Sequence, residues 1–142
     1  TTAAPSNPGL KATWYDFKGK TCAEIAAAPV KKTYRVEDVT IPRGVKSFII
    51  GLTYKGYINI PEDGIYSFYL SSDDGSMLYI DGKQVIDNDG LHAPGEVTGQ
   101  AALKQGYHPI EVQYFDHGGG SIHLKVCGND GKEIPFTYLY AH

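Results

Sequence analysis

The chain has 142 residues, with 13 Lys and Arg against 16 Asp and Glu, a formal charge of −3 and no dense run of basic side chains. A surface that follows a phosphate backbone needs concentrated positive charge, so the composition argues against DNA or RNA as a partner. No stretch approaches the roughly 18 consecutive apolar residues of a membrane span, no charged-then-apolar leader opens the chain, and the length suits one domain that buries about 70% of its unfolded surface.

Residues 1–9, TTAAPSNPG, are small, polar and Pro-containing and read as linker, with a single domain expected over 10–142. A start at Thr1 without Met is the expectation for a piece cut from a larger precursor. Leu10 to Phe17 is an extended run carrying Trp14 and Tyr15. Thr21 to Ala27 is the one helix-like piece, Ala-rich, with Thr21 placed to cap toward Glu24 and Pro29 as the stop. Phe48 to Leu52 and Tyr54 to Ile60 are apolar-rich runs interrupted at Gly51 and Gly56, where a strand glycine marks a bulge or a close backbone approach.

From Tyr66 the alternation is regular: Tyr66, Phe68 and Leu70 share one face, and Ser67, Tyr69 and Ser71 the other. Met77 to Ile80 follows, then Asp81-Gly82, a dipeptide suited to the positive φ angles of a type I′ hairpin turn, then Lys83 to Ile86. Glu96 to Leu103, Tyr107 to Phe115, Ser121 to Cys127 and Ile134 to Tyr138 complete the strand set. Recurrent turn signals without a helix long enough for a crossover predict an all-β antiparallel sandwich or barrel. Cys22 and Cys127 are an even but distant pair, and spacing alone does not separate a disulfide from two buried thiols.

In such a frame the chemistry belongs to loops. Three are candidates: Ser72 to Ser76, Asp87 to Glu96, and Asp116 to Gly120. Adjacent Asp73 and Asp74 at a strand end are either part of a hard-cation site, which needs several oxygen ligands, or turn residues that satisfy their own backbone. Asp87-Asn88-Asp89-Gly90 opens like an EF-hand loop but fails it, with Leu91 and Thr98 at the fifth and twelfth positions. A solvent-facing loop in which Asn88, Asp89 and His92 meet sugar hydroxyls competes there with a plain Asx turn. His92, His117 and His123 match no zinc spacing; His123 belongs on a solvent face and His108, beside Pro109, in a turn. Asp74 and Asp116 resemble the carboxylate pair of a glycosidase, but short Gly-rich loops do not provide the desolvated cleft that raises one carboxyl pKa. Neither a nucleophile elbow nor a phosphate-cradling loop is present, and no enzyme activity is expected.

The order Pro61-Glu62-Asp63-Gly64-Ile65-Tyr66, then Ser72-Asp73-Asp74-Gly75-Ser76, Tyr79-Ile80-Asp81-Gly82-Lys83 and Val85-Ile86-Asp87-Asn88, resembles the protective-antigen type of β-sandwich domain, named for the anthrax protective antigen. The resemblance continues through Leu103 to Phe115 and the Gly-rich Gly118-Gly119-Gly120, so it covers roughly residues 10–140. It implies a non-catalytic carbohydrate-binding module of a larger secreted or surface glycoside hydrolase or adhesin, with a glycan and a neighbouring catalytic domain as partners. The alternative it implies is a structural accessory domain packed on a hexosaminidase or β-glucosidase type catalytic domain without sugar affinity of its own. In the flocculin and adhesin branch, two neighbouring aspartates joined by a cis peptide bind calcium, which grips sugar hydroxyls. Carried over, Asp73 and Asp74 match that pair, and Asp116 stands where that branch has Asn, followed by His117, Gly118 and Gly119 in the third loop. Ca²⁺ is the implied cofactor.

Overall fold

The structure, a computed structural model, describes residues 7–42, 44–45, 49–90, 95–117, 121–128, 130–134 and 138–140. The strands in chain order are β1 (Asn7–Pro8), β2 (Leu10–Tyr15), β3 (Val30–Val36), β4 (Ile50–Ile60), β5 (Gly64–Ser72), β6 (Ser76–Ile80), β7 (Lys83–Asn88), β8 (Gly95–Leu103), β9 (Gly106–Asp116), β10 (Ile122–Cys127) and β11 (Tyr138–Tyr140). A 3₁₀ helix, Cys22–Ala27, lies between β2 and β3. Eight strands make one sheet, in the order β1-β11-β4-β9-β6-β7 with β2 also on β4 and β3 outside β2, and β10-β5-β8 make a second. All these pairings are antiparallel, as the sequence predicts.

The core forms because alternate side chains of both sheets point at each other. Ile50, Leu52, Tyr54, Ile58 and Ile60 of β4 and Ile110, Val112 and Tyr114 of β9 face Tyr66, Phe68 and Leu70 of β5 and Ile122, Leu124 and Val126 of β10. Each such aliphatic or aromatic residue contributes about 1.5–3 kcal/mol when fully buried. Tyr54 is wholly buried, and its hydroxyl donates to the Thr40 carbonyl at 2.8 Å, so the phenol brings no unsatisfied donor inside.

The Asp81-Gly82 hairpin has φ angles of 55° and 76°, the doubly positive pattern of a type I′ turn. It joins Ile80 to Lys83, and a register shift between Leu78 and Tyr79 then re-aims the ladder. At Gly51 the close approach is present: a Cβ there would lie 2.8 Å from the Phe17 Cβ. Gly56 is no bulge. It sits where the edge of β4 passes from β2, last paired at Lys11↔Lys55, to β11, paired at Leu139↔Tyr57.

Several expectations are corrected. Among the described residues the sheet begins at Asn7, inside the stretch read as linker, because Asn7 pairs with Tyr140 and Pro8 with Leu139. The expected short helix is present, as a 3₁₀ turn that ends because Ala28 is already extended ahead of Pro29. The Thr21 side chain accepts no backbone N–H; its carbonyl accepts the Glu24 N–H at 3.2 Å, and its hydroxyl donates to the Glu24 carboxylate at 3.0 Å, which also accepts the Lys20 N–H at 3.2 Å. β3, Val-Lys-Lys-Thr-Tyr-Arg-Val, is an edge strand whose lysines hid its alternation. The last strand is Tyr138–Tyr140, with Glu133 bridging Cys127 alone; positions 135–137 lie outside the described residues. Cys22 packs on the outside of the large sheet while Cys127 ends β10 in the other sheet, and both are buried free thiols. His108 stands on β9 rather than in a turn, its Nδ1 2.9 Å from the Asp81 carboxylate and its Nε2 2.7 Å from the Lys104 carbonyl. His123 is exposed, as expected.

Candidate functional site

At one apex of the sandwich β5 runs out of the small sheet and β6 begins the large one, and the crossing is Asp73-Asp74-Gly75. The turn is stitched to distant chain. The Asp73 N–H donates to the Ser121 carbonyl at 3.0 Å, the Asp74 N–H to the Phe115 carbonyl at 3.2 Å, and the Phe115 N–H to the Gly75 carbonyl at 3.0 Å. The Asp73-Asp74 peptide is cis. Gly75 has no room for a side chain, since a Cβ would stand 2.5 Å from Phe115 Cε1 and 2.6 Å from the Gly90 nitrogen. The first, second and third candidate loops therefore meet at this point.

Asp73, Asp74 and Asp116 each bring a carboxylate oxygen to within 4.8 Å of the others. Asp116 is the last residue of β9, inward-facing after Val112 and Tyr114 and only 2% exposed. Oxygens bound to one Ca²⁺ at about 2.3–2.6 Å lie at most about 5 Å apart, so the size and chemistry of this donor set fit a hard divalent cation. The Tyr114 hydroxyl donates to the Asp73 carbonyl at 2.9 Å. Burial, then the charges of Asp116, Asp73 and Asp74, push the Tyr114 phenol far above its usual range, which keeps it a neutral donor beneath the acidic group.

Hydroxyls and an amide brace the turn from below. Ser72 donates to the Asp74 carbonyl at 2.7 Å and lies 2.6 Å from the Ser76 hydroxyl. A hydroxyl has one proton, so Ser76 is the donor in the second contact. The Asn88 amide reaches the Leu70 carbonyl (3.3 Å), the Ser72 hydroxyl (3.3 Å) and the Gly95 carbonyl (3.1 Å). Asn88 is thus turned inward, correcting its expected place in a solvent-facing loop: it continues the inward row of Ile86 on β7, and a buried amide must be satisfied inside. Asp89 is likewise spent on backbone, its Oδ1 accepting the Cys22 and Gly90 N–H groups, both at 2.8 Å. Burial, reinforced by Asp89, pushes the Cys22 thiol far up and keeps it un-ionised.

His117 forms a wall. Its N–H donates to Asp74 Oδ2 at 2.9 Å, and its Nε2 lies 2.6 Å from the Gly19 carbonyl, which only accepts, so Nε2 carries the proton. The ring meets Phe17 and Phe115 edge-on, with centroids 6.4 and 5.7 Å away. This brings the segment between β2 and the 3₁₀ helix to the apex, a contribution the sequence reading missed; the period-two spacing that puts Phe115 and His117 on one face was its one signal. His92, Gly118 and Gly119 lie outside the described residues.

Among the described residues no helix is long and apolar enough to cross a membrane. The chain is 36% identical over 77 residues to a β-hexosaminidase of Porphyromonas gingivalis, an alignment covering 54% of this chain and 9% of that protein. Its fold is similar to that of a PA14 sugar-binding domain from an RTX adhesin, at 18% identity and a TM-score of 0.79, covering 96% of this chain and all 100% of that one. It is similar also to the Epithelial Adhesin 6 A domain of Candida glabrata, solved in complex with Galβ1-3GlcNAc, at 11% identity and a TM-score of 0.71, covering 99% and 89% of the two chains. The PA14 domain model matches residues 6–138, and the chain belongs to the PA14 domain family.

Proposed function

We propose that the chain is a non-catalytic carbohydrate-binding module whose Asp73, Asp74 and Asp116 hold a calcium ion. The observation that carries this reading is the convergence of three carboxylates, from loops more than forty positions apart, to within 4.8 Å. Bound there, calcium supplies coordination positions that sugar hydroxyls take up. The chain's own part is to fix the donors: Tyr114 and Ser72 hold the carbonyls of Asp73 and Asp74, and the His117 N–H holds one Asp74 oxygen. A non-catalytic role is supported by the family match and by the likeness to a PA14 sugar-binding domain. A glycan ligand is supported by the likeness to a sugar-binding adhesin domain and to an adhesin domain solved with Galβ1-3GlcNAc, and a secreted or cell-surface location by both being adhesins.

Calcium titrated calorimetrically into chelator-treated protein tests this. Heat of binding is expected, with a melting midpoint that rises with calcium, equivalent to about 2.7 kcal/mol at a hundredfold excess over Kd. Asp74→Asn removes both effects. No heat at millimolar calcium, with identical melting of the variant, overturns the metal reading. Glycan-array binding abolished by chelator is expected of the wild type.

A second reading, an accessory domain docked on a neighbouring glycosidase catalytic domain, is favoured by the match to a short part of a hexosaminidase. Tight calcium binding without glycan binding would move the balance toward it.

A further inference from the structure

Among the described residues, the outer face of the large sheet is covered at one end and open at the other. Beside the apex, Phe17, Cys22 and Ile25 pack on Phe115 and Met77. Away from it lies a groove of about 510 Å³, lined by Lys11, Lys55, Tyr57, Tyr79, Glu111 and Gln113 among others. We infer that this groove is a second, metal-independent binding site, for an oligosaccharide carrying uronic-acid carboxylates.

Strand register builds the groove's charge. Arg35 pairs with Lys11, Lys11 with Lys55, Lys55 with Glu111 and Glu111 with Tyr79, a single cross-strand row over β3, β2, β4, β9 and β6. The two lysines have Cα atoms about 4.5–5.5 Å apart on this pairing, and like charges so placed repel unless an anion lies between them. Neither belongs to the ion pairs found among the described residues, which join Arg35 to Glu37 and His108 to Asp81. A monoanionic carboxylate is the group that relieves this repulsion.

Tyr57 and Tyr79 supply the platform. Tyr57 is opposite Pro109 and Tyr79 opposite Glu111, so β9 separates them with an offset of two residues. That geometry sets their Cα atoms about 12 Å apart, the span of a short saccharide lying across the sheet. Tyrosine faces accept the C–H side of a pyranose while the ring hydroxyls stay wet. The Gln113 amide donates to Glu111 at 2.9 Å, fixing that carboxylate as an acceptor for sugar hydroxyls.

Glu111 also sets the ligand class. A negative charge within the row disfavours a dense polyanion such as nucleic acid, while leaving the Lys11–Lys55 end for a sparse one. A uronate is preferred to a sulfate ester because its carboxylate is attached directly to the ring, with fewer rotors to freeze on binding. The site is independent of the apex carboxylates, so either can fail alone.

The test is a titration of the intact chain with trigalacturonate in the presence of EDTA, followed by amide chemical shifts. Saturable shifts on β4, β6 and β9 are expected. Lys55→Gln and Tyr57→Ala each weaken binding at least about tenfold, added NaCl weakens it further, and Asp74→Asn leaves it unchanged. Lys11→Gln repeats the loss from the partner lysine, so a misfolded single variant does not decide the outcome. Absence of saturable shifts, unchanged affinity in both lysine variants, loss of binding in EDTA, or equal affinity for the neutral trigalactoside overturns the proposal. A sulfated trisaccharide binding as tightly as the uronate overturns the carboxylate assignment.

Discussion

Two Asp-Gly dipeptides seven positions apart do different work here. At Asp81-Gly82 the backbone is left-handed at both residues and a Cβ on Gly82 would meet nothing within 4 Å; glycine serves conformation and the turn is local. At Asp74-Gly75, φ at Gly75 is not positive, yet a Cβ would collide with Phe115 and with the Gly90 backbone; glycine serves space and the turn is held by β9 and the chain before β10. The same letters mark a plain hairpin in one place and the meeting point of three loops in the other. Their surroundings, rather than their own torsions, make the second a candidate site.

The contrast breaks most sharply under Gly75→Ala. Overpacking against backbone is expected to cost about 3 kcal/mol in urea unfolding, and a loss below about 1 kcal/mol would mean that the loops do not press together as described. Tyr114→Phe follows, at about 1–3 kcal/mol, because the Asp73 carbonyl loses its buried donor.

Tyr114 also carries a pH signature. Its folded pKa, like that of buried Tyr54, lies well above the usual tyrosine value. The phenol's contribution is therefore complete below about pH 10 and shrinks as pH rises, since the unfolded chain then releases a proton that the folded one keeps. Each such group steepens the alkaline fall by about 1.4 kcal/mol per pH unit, and Tyr114→Phe is expected to remove one share of that slope in chemical denaturation between pH 10 and 12. An unchanged slope would place Tyr114 in contact with water.

Gly82→Ala is expected to cost about 1 kcal/mol through its positive φ alone. Asp81→Asn is the smallest change: asparagine tolerates the same backbone, and only the half-exposed pair with His108 is lost, about 0.5 kcal/mol and less in high salt. If Asp81→Asn cost as much as Gly75→Ala, the local reading of the hairpin would be wrong.

What was legible in the sequence followed periodicity. Tyr66, Phe68 and Leu70 faced the core as their alternation required, and Asp81-Gly82 turned where its composition dictated. β3 escaped because an edge strand with Lys31, Lys32 and Arg35 lacks an apolar alternation. Asn88 was misplaced because its residue type speaks for a turn, whereas its position, two after Ile86, speaks for the interior. The row from Arg35 to Tyr79 was invisible because strand pairing, not chain proximity, assembles it. The acidic apex lay between: Asp73 and Asp74 announced themselves, whereas Asp116 became a buried neighbour through the register of β9 against β4 and β6.

The pairing of Asn7 with Tyr140 has a consequence for how such a domain is carried. The first and last described strands are neighbours, so Asn7 and Tyr140 lie about one strand spacing, 5 Å, apart. A host protein could open a surface turn, splice the whole sandwich into it and close again with little displacement of the turn's flanks.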